Sequence, residues 1–491
     1  MRIAHTPAVA GSLLLPLSTR TTLSGALFAA VAACAFASAI FPDPIWTTAF
    51  FVLELILIIA PATACLYRRQ LDPFEPIHVF LFGTLVFFWI SPLYSILYGT
   101  LTTAGALSAM RLTCLCIGVF VLVYWMPRSA RAKPRFRCGE PVDLYLRLFI
   151  VAAIGLAGWV GLLRAYGGFD QLLLSERASQ VVTADSVRIY TAMRLLLTPV
   201  VTLLLALTIG GRIKSIAARF FVLLAGATYA YLLYRVGGSR INTFEVIFAI
   251  LAQYHYLVKP ISLKRLALIV PLLFTLSATM MVYRSFFHLG SYRQTTELER
   301  LFSSTDAFAD RTLGSWDYAM FDNTIMVMDF FPTAHDYLWG DSYLKILYTP
   351  IPRWLWPDKP MTTSRVATQL MFSYRQYASG TSVGVSMVGE GYIYFGFAGA
   401  ILAAALVALI LRAIYATFIE HVRTVGSVGV YSVGLFALVF DILRGILQSA
   451  LIHYGIVTVG ALLICWTSMP RGRSIGSIAP KSHSKGSSEF T

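Results

Sequence analysis

An all-α, polytopic membrane protein is the fold class that this chain predicts, on three observations. Of its 491 residues 57% are hydrophobic and only 13% are charged, and the mean hydropathy is +0.70. That composition lies outside the soluble class. A helix crosses a hydrocarbon core of ~30 Å in ~20 apolar residues, and about twelve runs of that length recur from Thr22 to Trp466. Every second run is followed by basic residues.

Taken in order, the first run, Thr22–Phe41, is too long for a cleavable leader and no soluble domain follows it, so it stays as a span. Ile45–Leu66 exits at Arg68 and Arg69; Ile77–Tyr98 returns; Ala104–Met126 exits into Arg128, Arg131, Lys133, Arg135 and Arg137. Tyr145–Tyr166 leads to the loop Gly167–Arg188, and Ile189–Gly210 exits at Arg212, Lys214 and Arg219. Phe220–Val236 is followed by Ile241–Val258, which exits at Lys259, Lys264 and Arg265. Leu266–Phe287 opens the longest loop, Tyr392–Tyr415 exits at Arg423, and Val428–Leu443 and Ile446–Trp466 end before Arg471, Arg473, Lys481 and Lys485.

Basic residues concentrate on the cytoplasmic side of membrane proteins. Both termini are therefore expected in the cytoplasm, and most of the net charge of +15 needs no nucleic acid to explain it. Five cysteines, Cys34, Cys65, Cys114, Cys116 and Cys465, fall in or at the ends of spans, and Cys138 sits in a basic loop, which argues against a disulfide framework or a thiolate metal site. The Ser-, Gly- and Lys-rich tail 471–491 reads as disordered.

This orientation divides the chain into spans one to nine (1–287), a long extracytoplasmic loop (288–384), spans ten to twelve (385–470) and the tail. The loop is far longer than a connector requires. It holds IPRWLWPDKP, Ile351–Pro360, where Pro352, Pro357 and Pro360 each fix φ and remove a backbone donor, leaving Arg353, Trp354, Trp356 and Lys359 on a stiff, irregular element. Trp316, Trp339, Tyr343, Tyr348, Tyr374 and Tyr377 lie in the same loop. Such aromatics suit both anchoring at the membrane interface and stacking on sugar rings.

Charges on the outer side escape the positive-inside explanation. Arg235 and Arg240 bracket RVGGSR between spans seven and eight, Arg284 ends span nine, and Arg444 lies between spans eleven and twelve. An ionised group near a span faces a polar cavity or snorkels to the interface, and several guanidinium groups on one side fit a phosphate or pyrophosphate, which they grip bidentately. The GGSR turn adds backbone N–H groups beside a helix start. Glu390, between Gly389 and Gly391 just ahead of span ten, has no basic neighbour at helical pairing distance and is the candidate general base, with a structural ion pair as its other reading. His453 is the rival base, and Asp441 is placed to pair with Arg444 at i, i+3.

GGSR opening a span, then DRTLGSWDY and PIPRWLWPDKP in the loop, then SMVGEGYIYFGFAG and LRG, occur in that order over Val236–Gly445. In this the chain resembles the Wzy-type oligosaccharide repeat-unit polymerases, relatives of the O-antigen ligases; the first half matches only in hydropathy and in GGFDQLL, Gly167–Leu173. The resemblance implies a C-type glycosyltransferase-like fold in the bacterial cytoplasmic membrane, working at its outer face without a metal or other cofactor. Such enzymes move a growing glycan from a polyprenyl pyrophosphate to a fresh lipid-linked repeat unit, with inversion, and work beside a chain-length regulator. It implies that Arg240, Arg284, Arg311, Arg353 and Arg444 hold pyrophosphate, that Glu390 or His453 takes the acceptor proton, and that Trp354, Trp356 and Lys359 contact glycan.

Asp306, Asp310, Asp317, Asp322 and Asp329 are the residues that a loop-bound cation would use. A ligase that transfers finished glycan would share the arginines and differ only in its acceptor. A glycolipid transporter would instead carry charge through the midplane of many helices and show inverted repeats.

Overall fold

The computed structural model describes residues 17–40, 45–67, 71–97, 103–126, 141–165, 167–168, 184–237, 240–288, 319–339, 351, 356, 358, 363–371, 384–420, 423–445 and 447–466. Its regular elements are all helices. In the first half these are α1 (Leu17–Ile40), α2 (Ile45–Tyr67), α3 (Pro76–Thr84), α4 (Ser91–Leu97), α5 (Thr103–Trp125), α6 (Leu144–Ala165), α7 (Ala184–Ile209) and α8 (Ile216–Gly237). There follow α9 (Arg240–Leu257), α10 (Leu263–His288), α11 (Met320–Phe330), α12 (Thr363–Met371), α13 (Ser386–Tyr415), α14 (Val425–Ser432), α15 (Leu435–Arg444) and α16 (Leu447–Cys465). Among the described residues nine helical stretches are long and apolar enough to cross a membrane.

At least one helix lies along each of the twelve apolar runs. The three outside the nine are α7, whose apolar part is Met193–Ile209, α9, and α16, whose apolar part is Ala450–Cys465. The parts Met193–Ile209 and Ala450–Cys465 are apolar but shorter than the other spans. The third run is α3 and α4 joined by a π-helical turn, Leu85–Ile90. The tenth is preceded by a short helical arm that starts at Ser386 and carries Glu390, and the chain leaves helical geometry at Phe395 and Gly396 before the long helix. The eleventh is two helices, because Val433 (ψ 84°) and Gly434 (φ 95°) break it between α14 and α15, and the left-handed φ suits glycine. Two short helices, α11 and α12, come from the long loop.

One face of the bundle is closed by a buried polar clasp. Asp72, between α2 and α3, accepts hydrogen bonds from Tyr256 Oη at 2.8 Å and Tyr415 Oη at 2.9 Å, and lies 3.5 Å from His255 Nε2. Tyr431 Oη donates to the Phe74 carbonyl at 2.5 Å, and Arg20 reaches Glu75 at 3.8 Å. Burial holds the Glu75 carboxyl above the usual carboxylate range. These groups come from the start of α1, the segment after α2, the ends of α9 and α13, and from α14. The ends that alternating topology assigns to one side therefore share one face. The described parts of the long loop, α11 and α12, pack at the other end: a Cβ on Gly105, near the start of α5, would touch Ile325 of α11.

Candidate functional site

Glu390 is placed by a chain reversal within α13. Phe395 (φ −143°, ψ 25°) and Gly396 (φ 60°, ψ −144°) leave helical geometry, and Gly391 then lies against Gly399 and Ala400. In a continuous helix residues nine apart would be separated by about 13 Å; here a Cβ on Gly391 would sit 2.6 Å from the Ala400 Cα. A Cβ on Gly399 would collide with the Gly391 carbonyl oxygen. The glycines of GEGYIYFGFAG thus let residues 386–394 fold back as a short helical arm against the long one.

On that arm Glu390 is 1% exposed. Each carboxylate oxygen has a donor: the Leu447 N–H reaches Oε2 at 2.6 Å, and Thr363 Oγ1 donates to Oε1 at 3.4 Å. Leu447 is the first residue of α16, whose N–H groups lack intrahelical partners and carry the positive end of the helix dipole. Thr363 Oγ1 also hydrogen bonds Tyr394 Oη, on the next turn of the arm. The carboxylate is therefore oriented by backbone and hydroxyl donors, and no arginine is needed to hold it.

The arm's base is pinned as closely. Asn323 Nδ2 donates to the Gly384 carbonyl at 2.8 Å, and Thr324 Oγ1 meets Ser386 Oγ at 3.0 Å, so α11 clamps the segment leading into the arm. A Cβ on Gly384 would collide with the Arg444 carbonyl. Arg444 ends α15 and Leu447 starts α16, so the junction between these helices sets the Arg444 backbone against the base of the arm and supplies the N–H donor to Glu390.

Of the residues singled out in the sequence, Glu390 and Arg444 share this junction, Arg444 through its backbone. His453 lies within α16, with Nδ1 3.8 Å from Asp441 Oδ2, so the contact described for the Asp441 carboxylate is with His453, where the sequence spacing pointed to Arg444. Arg240 begins α9 and Arg284 lies near the end of α10; the side chains of both are outside the described residues. Arg311, Arg353, Trp354 and Lys359 are outside them altogether. Trp356 is exposed.

Sequence reasoning passed over Thr363, which stands three residues beyond Pro360 and whose hydroxyl reaches Glu390. It also passed over a second buried cluster. Arg194 of α7 pairs with Glu245 of α9 at 2.9 Å, with Glu245 fully buried, and a Cβ on Gly434 at the α14–α15 break would lie 3.6 Å from Glu245 Oε1. Gln253 Nε2 bridges the Thr202 carbonyl at 2.9 Å and Ser432 Oγ at 2.8 Å. The signal was present: two opposite charges lie inside apolar runs, which membrane energetics disfavours unless they pair.

Compared with known proteins, the chain matches no family model, no curated protein and no solved structure.

Proposed function

We propose that the chain polymerises polyprenyl-pyrophosphate-linked oligosaccharide repeat units at the outer face of the bacterial cytoplasmic membrane, as an inverting, metal-independent glycosyltransferase with twelve spans. The observation that carries this reading is the oriented, buried Glu390 carboxylate at the α15–α16 junction, in a chain with the motif order of the Wzy-type polymerases. In the reaction an acceptor hydroxyl oxygen attacks the anomeric carbon of the donor glycan. Glu390 takes the hydroxyl proton as that bond forms, and the glycosidic bond to pyrophosphate breaks on the opposite face. Guanidinium groups, Arg240 among them, stabilise the charge that develops on the departing pyrophosphate. The Leu447 N–H and Thr363 hold the carboxylate in place for proton transfer.

Arg240→Lys tests the pyrophosphate assignment, because an ammonium keeps the charge and loses the fork. Losing one charged hydrogen bond, about 1.5–3 kcal/mol, corresponds to roughly ten- to hundredfold less long-chain glycan at equal expression. Normal chain length from that variant removes Arg240 from the site.

A transporter reading has one specific observation in its favour. The α14–α15 break lies beside the buried Arg194–Glu245 pair, the kind of discontinuous helix at which transporters bind polar substrates. It predicts that lipid-linked glycan crosses a vesicle membrane without growing.

A further inference from the structure

Two helices of the bundle carry polar residues in step. On α7 these are Arg194, Thr198 and Thr202, and on α9 they are Glu245 and Gln253 with Ala249 between them, so both helices repeat at i, i+4 and i+8. The first rung is the Arg194–Glu245 pair at 2.9 Å, and the last is Gln253 Nε2 on the Thr202 carbonyl at 2.9 Å. The break between α14 and α15 lies along the same seam, with Ser432 against Gln253 and Gly434 against Glu245. Polar groups that pair across helices hold membrane bundles together. Two oxygens of this seam do not pair. Glu245 and Gln253 are both 0% exposed, and Oε1 of each has no hydrogen-bond partner in the protein.

Turning the amide over does not satisfy Gln253. Its Nε2 faces two acceptors, the Thr202 carbonyl and Ser432 Oγ, because the Ser432 hydroxyl gives its hydrogen to the Gly429 carbonyl at 3.1 Å. A flipped amide would set its oxygen against both. Glu245 spends Oε2 on Arg194, and Oε1 lies 3.6 Å from the point where a Cβ on Gly434 would sit, with no atom nearer that point than 3.4 Å. Gly434 precedes α15 without a side-chain cap, so the first N–H groups of that helix, which have no intrahelical acceptor, lie at the same break. A buried acceptor left bare carries its whole desolvation cost. Charge selects what satisfies it. The Arg194–Glu245 pair is neutral as a unit, so an added cation meets the guanidinium and an added anion meets the carboxylate. A small neutral molecule that both donates and accepts meets neither penalty. We propose that this seam binds water, one molecule between Glu245 Oε1 and the start of α15 and another on Gln253 Oε1, so that the α14–α15 break is a hydrated joint inside the bundle. Water here is independent of the glycan chemistry proposed above.

The test is an electron cryomicroscopy map of the full chain in lipid nanodiscs, with an antibody fragment bound, at a resolution that shows ordered solvent, collected once in sodium chloride and once in choline chloride. Both maps should show compact density at about 2.7–3.2 Å from Glu245 Oε1 and from Gln253 Oε1. Density that disappears without sodium marks a cation, and elongated density marks a polar substrate of the kind a transporter would hold. Either result overturns the proposal, as does a map with no density at one of the two oxygens. X-ray radiolysis reads the same water independently, because hydroxyl radicals formed at a bound water oxidise the side chains beside it. Tyr454 is 8% exposed, with its ring 3.4 Å from the Gly434 Cβ position. Tyr234 is 7% exposed and its hydroxyl donates to the Met280 carbonyl at 2.6 Å, which makes it the matched control. Peptide mass spectrometry should find Tyr454 oxidised at least tenfold faster than Tyr234, and equal rates count against bound water.

Discussion

Glu390→Gln is expected to stop chain growth while leaving the protein folded. The amide has nearly the same shape as the carboxylate, its carbonyl oxygen can still accept from the Leu447 N–H, and its NH₂ group can donate to Thr363 Oγ1, so the buried arm loses little. What it cannot do is take the acceptor proton. General-base assistance amounts to roughly 10²–10⁴-fold, so cells carrying this variant should accumulate single lipid-linked repeat units, with normal protein level and detergent monodispersity. His453→Gln is the matched control. It removes the 3.8 Å contact to Asp441 and should leave long chains. The reverse outcome, long chains from Glu390→Gln and none from His453→Gln, would transfer the base to His453.

The second large effect is structural and acts through the same arm. Gly399→Val would drive a branched side chain into the Gly391 backbone, where even a Cβ collides. The short arm must then swing away from the long one, and Glu390 leaves its two donors. Overpacking of this kind costs typically 1–3 kcal/mol, and because the arm is also clamped by α11 the expected result is a lower thermal midpoint in detergent together with loss of polymer. Gly455→Ala, on α16 with nothing within 4 Å of the new Cβ, should change neither. Native stability of Gly399→Val would show that the reversal at Phe395–Gly396 is not what holds the site.

Hydropathy made the helices legible because each apolar run is dictated by a solvent that satisfies no backbone group, and the basic exits ordered their ends. The clasp around Asp72 shows that order in packing: residues separated by more than three hundred positions, Asp72 and Tyr415, meet because both lie at ends assigned to one side. The breaks were not legible. Phe395–Gly396 and Val433–Gly434 sit inside runs that are predominantly apolar, and hydropathy averages over a single residue that leaves helical geometry. Glu390 stood out as a lone carboxylate, but its partners could not be read from sequence, because a backbone N–H carries no residue identity and Thr363 is an ordinary threonine until the fold brings it there. Arg194 and Glu245 were missed for a different reason. Each falls within its own apolar run, fifty-one positions apart, and the fold brings them to 2.9 Å.

The most direct test of the account is elongation by the purified protein. Lipid-linked glycans extracted from host cells lacking the protein are incubated with it in the presence of a metal chelator, and the products are resolved by mass. The account predicts single repeat units at the start and a series of two, three and more repeats on one polyprenyl pyrophosphate afterwards, absent with Glu390→Gln. Repeat units that stay single with the active protein, but move across a vesicle membrane when it is reconstituted there, would contradict it.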